Sequence, residues 1–215
     1  SAFYQGLWET ITRGETFRAT FIDQARDGSL FYQEQTIAPV WGPDGEITHF
    51  VSTGKDITQR VAMEHELRRR ATTDPLTGLY NRLRFEALLE EEFERDQRYQ
   101  HGLALIMLDV DHFKAVNDHH GHDTGDRVLQ EIAQVITANL RTPDLFARWG
   151  GEEFMILAPD TGERGARELA ERLRAAVADT DFPDVGRVTA SFGITIRRPD
   201  DTIQQLTKRG DQALY

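Results

Sequence analysis

The sequence feature that most constrains the fold is a glycine-rich acidic turn, Gly150-Gly151-Glu152-Glu153-Phe154, between two apolar segments. The flanking residues 145–147 and 154–157 are apolar, a pattern that predicts the two strands of a β-hairpin. Glycine adopts the positive φ angles that tight hairpin turns require. Two adjacent carboxylates at such a turn repel each other and therefore favour a bound cation or a proton. The pentapeptide alone is better explained as a solvated turn, and the rest of the chain decides between the two interpretations.

Charge and composition exclude several classes of function. The chain has 215 residues and a formal net charge of −11, which disfavours binding to a nucleic-acid polymer because the phosphate backbone would be repelled. It has no cysteine, which excludes disulfides and thiolate metal sites. No apolar run approaches the roughly 20 residues of a membrane span, and no signal peptide is recognisable, so we expect a soluble protein. We also expect a piece of a longer protein, because the chain begins and ends inside structural elements.

The first 72 residues predict a small antiparallel sheet followed by a charged helix. A short helix with Leu7, Trp8 and Ile11 on one face ends at Gly14. Strands are predicted over 16–24, 29–40 and 47–53, joined by hairpin turns at 26–28 and 42–45. Three such strands form only part of a domain. The helix over 57–72 has an interrupted heptad, which indicates either a solvated connector or a weak parallel dimer helix, and Asp74-Pro75 ends it.

The remaining residues predict a leading helix and then a β-α-β-β-α-β order, the pattern of ferredoxin-like folds. Residues 103–110 form a continuous apolar run typical of a buried central strand, and 188–196 predict a further strand. Apolar residues at helical spacing define three helices; they are Leu83, Leu88, Leu89 and Phe93, then Val128, Ile132, Val135, Ile136 and Leu140, then Ala166, Leu169, Ala170, Leu173 and Val177. The right-handed crossover makes the first two strands parallel with the third between them. The acidic turn is therefore expected at the edge where the strand 103–110 ends.

Acidic side chains are expected to converge at that edge. Asp109 and Asp111 end the first strand, and the hairpin brings Glu152 and Glu153 beside them. Alone, each aspartate is better explained as a strand-end cap; together, three or four carboxylates form a hard-oxygen site that suits Mg²⁺ or Mn²⁺. Residues 117–126 predict a polar loop, whose histidines are weak evidence for zinc. In it, Asn117 and Asp126 have the groups to hydrogen-bond a guanine edge, and the nearby Lys114 is suited to a phosphate.

Five spaced motifs together resemble the GGDEF domain of diguanylate cyclases, in register from about residue 72 to the end of the chain. They are Thr73-Asp74-Pro75-Leu76-Thr77-Gly78-Leu79-Tyr80-Asn81-Arg82, Asp109-Val110-Asp111-His112-Phe113-Lys114-Ala115-Val116-Asn117-Asp118, Gly121-His122 with Gly125-Asp126, Arg148-Trp149-Gly150-Gly151-Glu152-Glu153-Phe154, and Ser191-Phe192-Gly193. Residues 1–58 resemble, more loosely, the second half of a PAS domain ending in Asp56-Ile57-Thr58. The resemblance implies an α+β chain: a partial PAS sheet over 1–56, a helical linker over 57–72, and a nucleotidyl-cyclase-like catalytic domain with a ferredoxin-like core over 73–215.

The resemblance further implies the condensation of two GTP molecules into cyclic di-GMP with release of two pyrophosphates. Asp109, Glu152 and the Val110 carbonyl would hold Mg²⁺ or Mn²⁺, two ions per site, and Glu153 would complete or support this metal cage. Glu152 would also be the catalytic proton acceptor. The substrate-binding residues implied by the motifs are His112, Phe113, Lys114, Asn117, His122 and Asp126. The chain ends at Tyr215, where the family usually continues with a basic segment that helps to hold the triphosphate, and the resemblance therefore implies weaker activity than that of a longer chain.

Regulation is also implied by the resemblance. Catalysis requires a homodimer that brings two half-sites together, and the PAS unit would set its geometry through the linker helix. Arg141, Asp144 and Arg172 match an inhibitory site for the product, cyclic di-GMP. The resemblance implies a bacterial cytoplasmic protein, and the PAS ligand stays unknown. Two alternatives stay open: a catalytically silent receptor for GTP or cyclic di-GMP, and a PAS dimerisation module with a passive partner.

Overall fold

The fold is known from a computed structural model, which describes residues 2–214 apart from the side chains of Ala2 and His65. Tyr215, the last residue of the predicted catalytic domain, lies outside the described residues, as does Ser1. The chain divides into two compact units, residues 1–68 and 69–215. None of the described helices is both long and apolar enough to cross a membrane.

The first unit is an antiparallel sheet with one flanking helix. Its elements are α1 (Ala2–Thr12), β1 (Phe17–Gln24), β2 (Leu30–Trp41), β3 (Ile47–Asp56) and most of α2 (Thr58–Thr72). The strands pair in the order β1-β2-β3, which confirms the three predicted strands to within a few residues. Leu7 and Ile11 are buried, whereas Trp8 is exposed and contacts the Phe50 ring edge to face. The prediction that Trp8 shares a face with Leu7 and Ile11 was therefore wrong. Trp8 follows Leu7 by one residue, so its side chain points away from the buried face of the helix.

Helix α2 begins where β3 ends, and side chains fix that junction. The Asp56 carboxylate accepts a hydrogen bond from the Thr58 backbone N–H at 2.8 Å, and the Thr58 hydroxyl accepts one from the Tyr32 N–H at 2.9 Å. The helix ends at Thr72, before Asp74-Pro75, as predicted. The interrupted heptad of this segment consists of Ile57, Val61, Leu67 and Ala71, and of these Leu67 is 67% exposed. Whether this helix pairs with a second copy stays a prediction.

The second unit is a four-stranded antiparallel sheet with helices on both faces. Its elements are α3 (Arg82–Tyr99), β4 (Leu103–Val110), α4 (Phe113–His120), α5 (His122–Ala138), β5 (Leu145–Gly150), β6 (Glu153–Pro159), α6 (Glu163–Asp179), β7 (Asp181–Phe182), β8 (Gly186–Arg187), β9 (Ala190–Ile196) and α7 (Ile203–Leu214). The strand order β5-β6-β4-β9 puts β6 between β4 and β5, so the predicted ferredoxin-like arrangement is confirmed. Helices α4 and α7 and the small β7–β8 hairpin were not predicted, and the last strand begins at Ala190 rather than Val188.

Central strand β4 is buried on both faces and separates two apolar cores. Alternate residues along it, such as Ile106, pack with apolar residues of α5 and α6, while the others, such as Leu105, pack with those of α3 and α7. The stripe predicted for α3 is shifted, because Leu83 is 67% exposed and Phe85 is fully buried in its place. Of the last three positions predicted for α5, Ile136 is buried, Val135 is partly buried, and Leu140 lies beyond the end of the helix. All five residues predicted for the α6 stripe are buried.

Candidate active site

The acidic turn lies against the end of β4. Strand pairing puts Asp109 of β4 directly opposite Glu153 of β6, and the Val110 N–H donates to the Glu152 carbonyl at 3.3 Å. Asp109, Glu152 and Glu153 are each partly exposed at this edge. The expected meeting of the first strand and the acidic turn at one sheet edge is therefore observed.

The turn itself consists of Gly151 and Glu152, between the last residue of β5 and the first of β6. Gly151 has φ +54°, a left-handed conformation that glycine adopts without the steric cost of a side chain. The pairing of β5 with β6 shifts register between Arg148 and Gly150. This irregularity and the left-handed glycine together let the chain reverse within two residues and leave the Glu152 side chain at the tip.

Arg148 braces this turn, and sequence reasoning gave it no role. Its Nε and Nη2 donate to the Gly151 carbonyl at 2.9 and 2.7 Å, while its Nη1 lies 3.3 Å from Asp74 Oδ1. Asp74 also accepts hydrogen bonds from the backbone N–H and hydroxyl of Thr77. Burial alone would raise the pKa of Asp74, but the Thr77 bonds and the Arg148 charge outweigh it and hold that pKa below its ordinary value. The sequence contained one signal for the role of Arg148, because it is a charged residue inside an otherwise apolar predicted strand.

Asp111 does not join the acidic corner. Its two carboxylate oxygens accept hydrogen bonds from the hydroxyls of Thr189 at 2.6 Å and Ser191 at 2.7 Å, beside the start of β9. Its backbone N–H also donates to the Thr189 carbonyl. The expectation that Asp111 would add to a cluster of three or four carboxylates was wrong, because both of its carboxylate oxygens already accept hydrogen bonds from these hydroxyls.

The remaining donors suit a hard divalent cation. Among the side chains that the structure describes, which leave out His65, no three His, Cys, Asp or Glu residues come together as a ready-made metal cage. The set expected from the sequence needs only two carboxylates, Asp109 and Glu152, with the Val110 carbonyl as the third oxygen. Asp109 and Val110 end β4 and Glu152 lies in the turn just before β6, and all three donors are oxygens of the kind that Mg²⁺ and Mn²⁺ prefer. The donor chemistry fits such an ion.

The residues expected to bind the nucleotide lie on two consecutive helices rather than in a loop. His112, in a left-handed conformation, precedes α4; Lys114 is exposed in its first turn, and Asn117 lies further along it. Gly121, at φ +81°, reverses the chain into α5. The predicted polar loop over 117–126 was wrong, because buried Phe113 supplies an apolar anchor that holds the short helix on the core.

The first turns of α5 bring the two expected guanine-binding residues close together. A Cβ at Gly125 would overlap the Oδ1 atom of Asn117, so only glycine leaves room for this side chain. Asp126 follows Gly125 directly and is exposed, and so is His122 at the start of the helix. Asn117 therefore approaches the backbone next to Asp126, while the expected contact at Phe113 is limited to its backbone because its ring is in the core.

The expected product-binding residues meet at a corner away from the acidic turn. Arg141 and Asp144 flank the turn before β5 and form an ion pair of 2.8 Å, with the Asp144 side chain fully buried. Asp144 also accepts the Arg141 backbone N–H at 2.9 Å. Arg172 of α6 reaches the same segment and donates to the Asn139 carbonyl at 3.0 Å.

Comparison with known proteins identifies the family. Residues 71–215 match the family model described as "Diguanylate cyclase, GGDEF domain". Over 151 residues the chain is 46% identical to the diguanylate cyclase DgcP of Pseudomonas aeruginosa, an alignment that covers 69% of this chain and 22% of that protein. It is 38% identical over 195 residues to the diguanylate cyclase DgcM of Escherichia coli K12, which covers 91% of this chain and 47% of DgcM.

Solved structures agree with this assignment. The structure of the coiled coil and GGDEF domain of DgcB from Caulobacter crescentus, in complex with c-di-GMP, has a TM-score of 0.68 and 32% identity, covering 73% of this chain and 86% of that one. Diguanylate cyclase SiaD of Pseudomonas aeruginosa, solved with its activator SiaC, gives 0.65 and 44%, covering 73% and 62%. The chain belongs to the GGDEF-domain diguanylate cyclase family. It spans less than half the length of the curated relatives described here.

Proposed function

We propose that this protein is a diguanylate cyclase, which joins two GTP molecules into cyclic di-GMP and releases two pyrophosphates. In each of two equivalent steps, the 3′-oxygen of one GTP attacks the α-phosphorus of the other; the P–O bond to pyrophosphate breaks, and the 3′-hydroxyl proton is lost. The observation that carries the proposal is the pairing of β4 with β6, with Asp109 opposite Glu153 and Val110 bonded to Glu152. Glu152, at the partly exposed tip, is the residue assigned to accept the proton.

A divalent cation, Mg²⁺ or Mn²⁺ with two ions per site, is part of the proposal. Asp109, Glu152 and the Val110 carbonyl would hold it, and Glu153 would support the arrangement. When bound, such ions neutralise phosphate charge and make the attacking hydroxyl more acidic. The paired strands then hold the carboxylates of Asp109 and Glu152 at the sheet edge, and Arg148 holds the turn in place.

Nucleotide recognition is assigned to α4 and α5. Asn117 and Asp126 would bind the Watson–Crick edge of guanine, which offers both donors and acceptors and so disfavours adenine. His122 would contact the substrate as well. Lys114 and the backbone around His112 and Phe113 would hold the terminal phosphates. Support comes from the close approach of Asn117 to Gly125, which puts the amide beside the backbone that carries Asp126.

Each site holds one GTP, so two copies of the chain must face each other before the bond can form, and we propose a homodimer for this reason. We assign residues 1–56 to the C-terminal part of a PAS sensor, 57–72 to a signalling helix and 73–215 to the catalytic domain. The antiparallel sheet and the Asp56–Thr58 junction support the sensor assignment. Because GTP is the substrate, the proposed location is the cytoplasm.

Turnover tests the proposal. The protein is incubated with GTP and Mg²⁺, and cyclic di-GMP is measured by chromatography. We expect product from the wild type and none from Glu152→Gln, whereas Glu168→Gln, a control at a position 69% exposed on α6, should keep full activity. If a well-folded wild type binds nucleotide without turnover, the chain is instead a silent receptor. If it neither binds nor turns over nucleotide, the remaining alternative is the dimerisation module.

We also propose inhibition by the product at Arg141, Asp144 and Arg172. The support is that an ion pair and a nearby guanidinium occupy one corner, the kind of site that binds phosphate and guanine. Adding cyclic di-GMP during the initial phase of turnover should slow the wild type. Arg141→Ala should be insensitive to it, and unchanged inhibition in that variant contradicts the assignment.

A further inference from the structure

The guanidinium of Arg141 contacts Asp144 and Thr161, which use different edges of its planar fork, and its Nη2 also lies 3.5 Å from the Pro159 carbonyl. Asp144 takes one edge: its Oδ2 accepts from Nε at 3.3 Å and its Oδ1 accepts from Nη2 at 2.8 Å. Thr161 Oγ1 accepts from the same Nη2 at 2.8 Å, which uses the second hydrogen of that nitrogen. The side chain of Arg141 as a whole is half exposed.

The remaining edge of Arg141 is the one that a guanine would need. Guanine presents O6 and N7 side by side, and arginine binds them with two N–H groups from a single edge. Asp144 occupies the edge made by Nε and Nη2, and its side chain is fully buried. The other edge is made by Nη1 and Nη2, and Thr161 already holds the Nη2 hydrogen of that edge. A guanine cannot take both donors until this bond breaks.

Thr161 is a rigid acceptor. It is 5% exposed, its backbone N–H donates to the Gly102 carbonyl at 3.1 Å, and its hydroxyl donates to the Pro159 carbonyl at 2.9 Å. The donated hydroxyl proton fixes the direction of the oxygen lone pairs, one of which receives Arg141. A fixed acceptor competes more strongly than a rotating one, because little conformational entropy is lost when the bond forms.

We propose that Thr161 gates the product site: its hydroxyl competes with guanine for Nη2 of Arg141 and so lowers the affinity for cyclic di-GMP. This inference rests on the proposed function, since it assumes that Arg141 binds the product. Asp144 belongs to the proposed product site, and in this structure it holds the Nε–Nη2 edge of Arg141.

Calorimetric titration of cyclic di-GMP into the protein, without GTP, tests the gate. Thr161→Val removes the hydroxyl at nearly constant shape and should bind the product about fivefold more tightly, the effect of removing one competing hydrogen bond. Thr161→Ser retains the hydroxyl and should bind as the wild type does. Thr161→Ala is the second variant, with melting temperatures checking that each protein is folded.

The outcomes separate the gate from the product site. If Arg141→Ala binds cyclic di-GMP as tightly as the wild type, the product site itself is wrong. If Arg141→Ala loses binding while Thr161→Val and Thr161→Ala bind no more tightly than the wild type, the product site stands and the gate is overturned. Methyl NMR of the wild type gives an independent readout: titration with product should shift the Thr161 methyl signal, and an unmoved signal also overturns the gate.

Discussion

Replacing Arg148 by lysine should loosen the turn that carries Glu152. The guanidinium bridges two parts of the second unit that are far apart in sequence: Asp74, which is 74 residues from Arg148, and the turn carbonyl of Gly151. Lysine keeps the positive charge but has a single nitrogen, which cannot reach both partners at once. The side chains of Arg148 and Asp74 are 15% and 17% exposed, so water substitutes for the guanidinium only in part.

The expected magnitude follows from the hydrogen bonds that lysine cannot make. The guanidinium donates to both partners and the ammonium to only one of them. Since the Gly151 carbonyl stays accessible to water, the free energy of unfolding should fall by about 1–2 kcal/mol. For a domain of this size, that corresponds to a melting temperature lower by roughly 3–6 °C. Because Glu152 is displaced with the turn, kcat for cyclic di-GMP formation should fall on the order of tenfold, with a smaller change in KM.

Thermal unfolding and initial rates measure both effects, and Arg174→Lys is the matched control. Arg174 also pairs with a carboxylate, Glu171 at 2.7 Å, but on the exposed surface of α6, where such pairs contribute little. An Arg148→Lys protein as stable and as active as Arg174→Lys would refute the idea that Arg148 braces the turn.

Three further predictions concern other residues of the second unit. Asp74→Asn should destabilise the protein at pH 6. Because the pKa of Asp74 is lowered in the folded state, the difference in unfolding free energy between this variant and the wild type should shrink as the pH falls below about 4. Denaturation at several pH values measures this trend. Gly125→Ala should push Asn117 aside and raise the KM for GTP about tenfold while stability is kept, since alanine favours the helix; steady-state kinetics and a melting curve check this. Asp96→Ala leaves buried Arg197 without its 2.6 Å partner and should cost about 3 kcal/mol of stability in a denaturant titration.

Periodicity predicted most of the fold because it reports burial. Alternation and continuous apolar runs indicated the strands, and the five α6 positions at helical spacing are all buried. The pattern failed where polar residues lie on a short helix. Residues 117–120 have the composition of a loop, yet Phe113 and Val116 on the same helix pack against the core and order it.

The site was predicted in part for the same reason. The chain crossover determines which strand ends meet, so the corner of Asp109 and Glu152 followed from topology. Side-chain partners that are distant in sequence leave no local signal. Thr189 and Ser191, about 80 residues away, take the carboxylate of Asp111, and Thr161 binds Arg141 from 20 residues away.

A double-mutant cycle in nucleotide binding tests most directly whether Asp109 and Glu152 act as one site. The affinity for a non-hydrolysable GTP analogue with Mg²⁺ is measured for the wild type, Asp109→Asn, Glu152→Gln and the double variant. If both carboxylates hold the same ion, the double variant should bind about as weakly as the worse single variant, a coupling of roughly 1 kcal/mol or more. Losses that simply multiply would mean that the two carboxylates act independently and would contradict a shared cation site at the ends of β4 and β6.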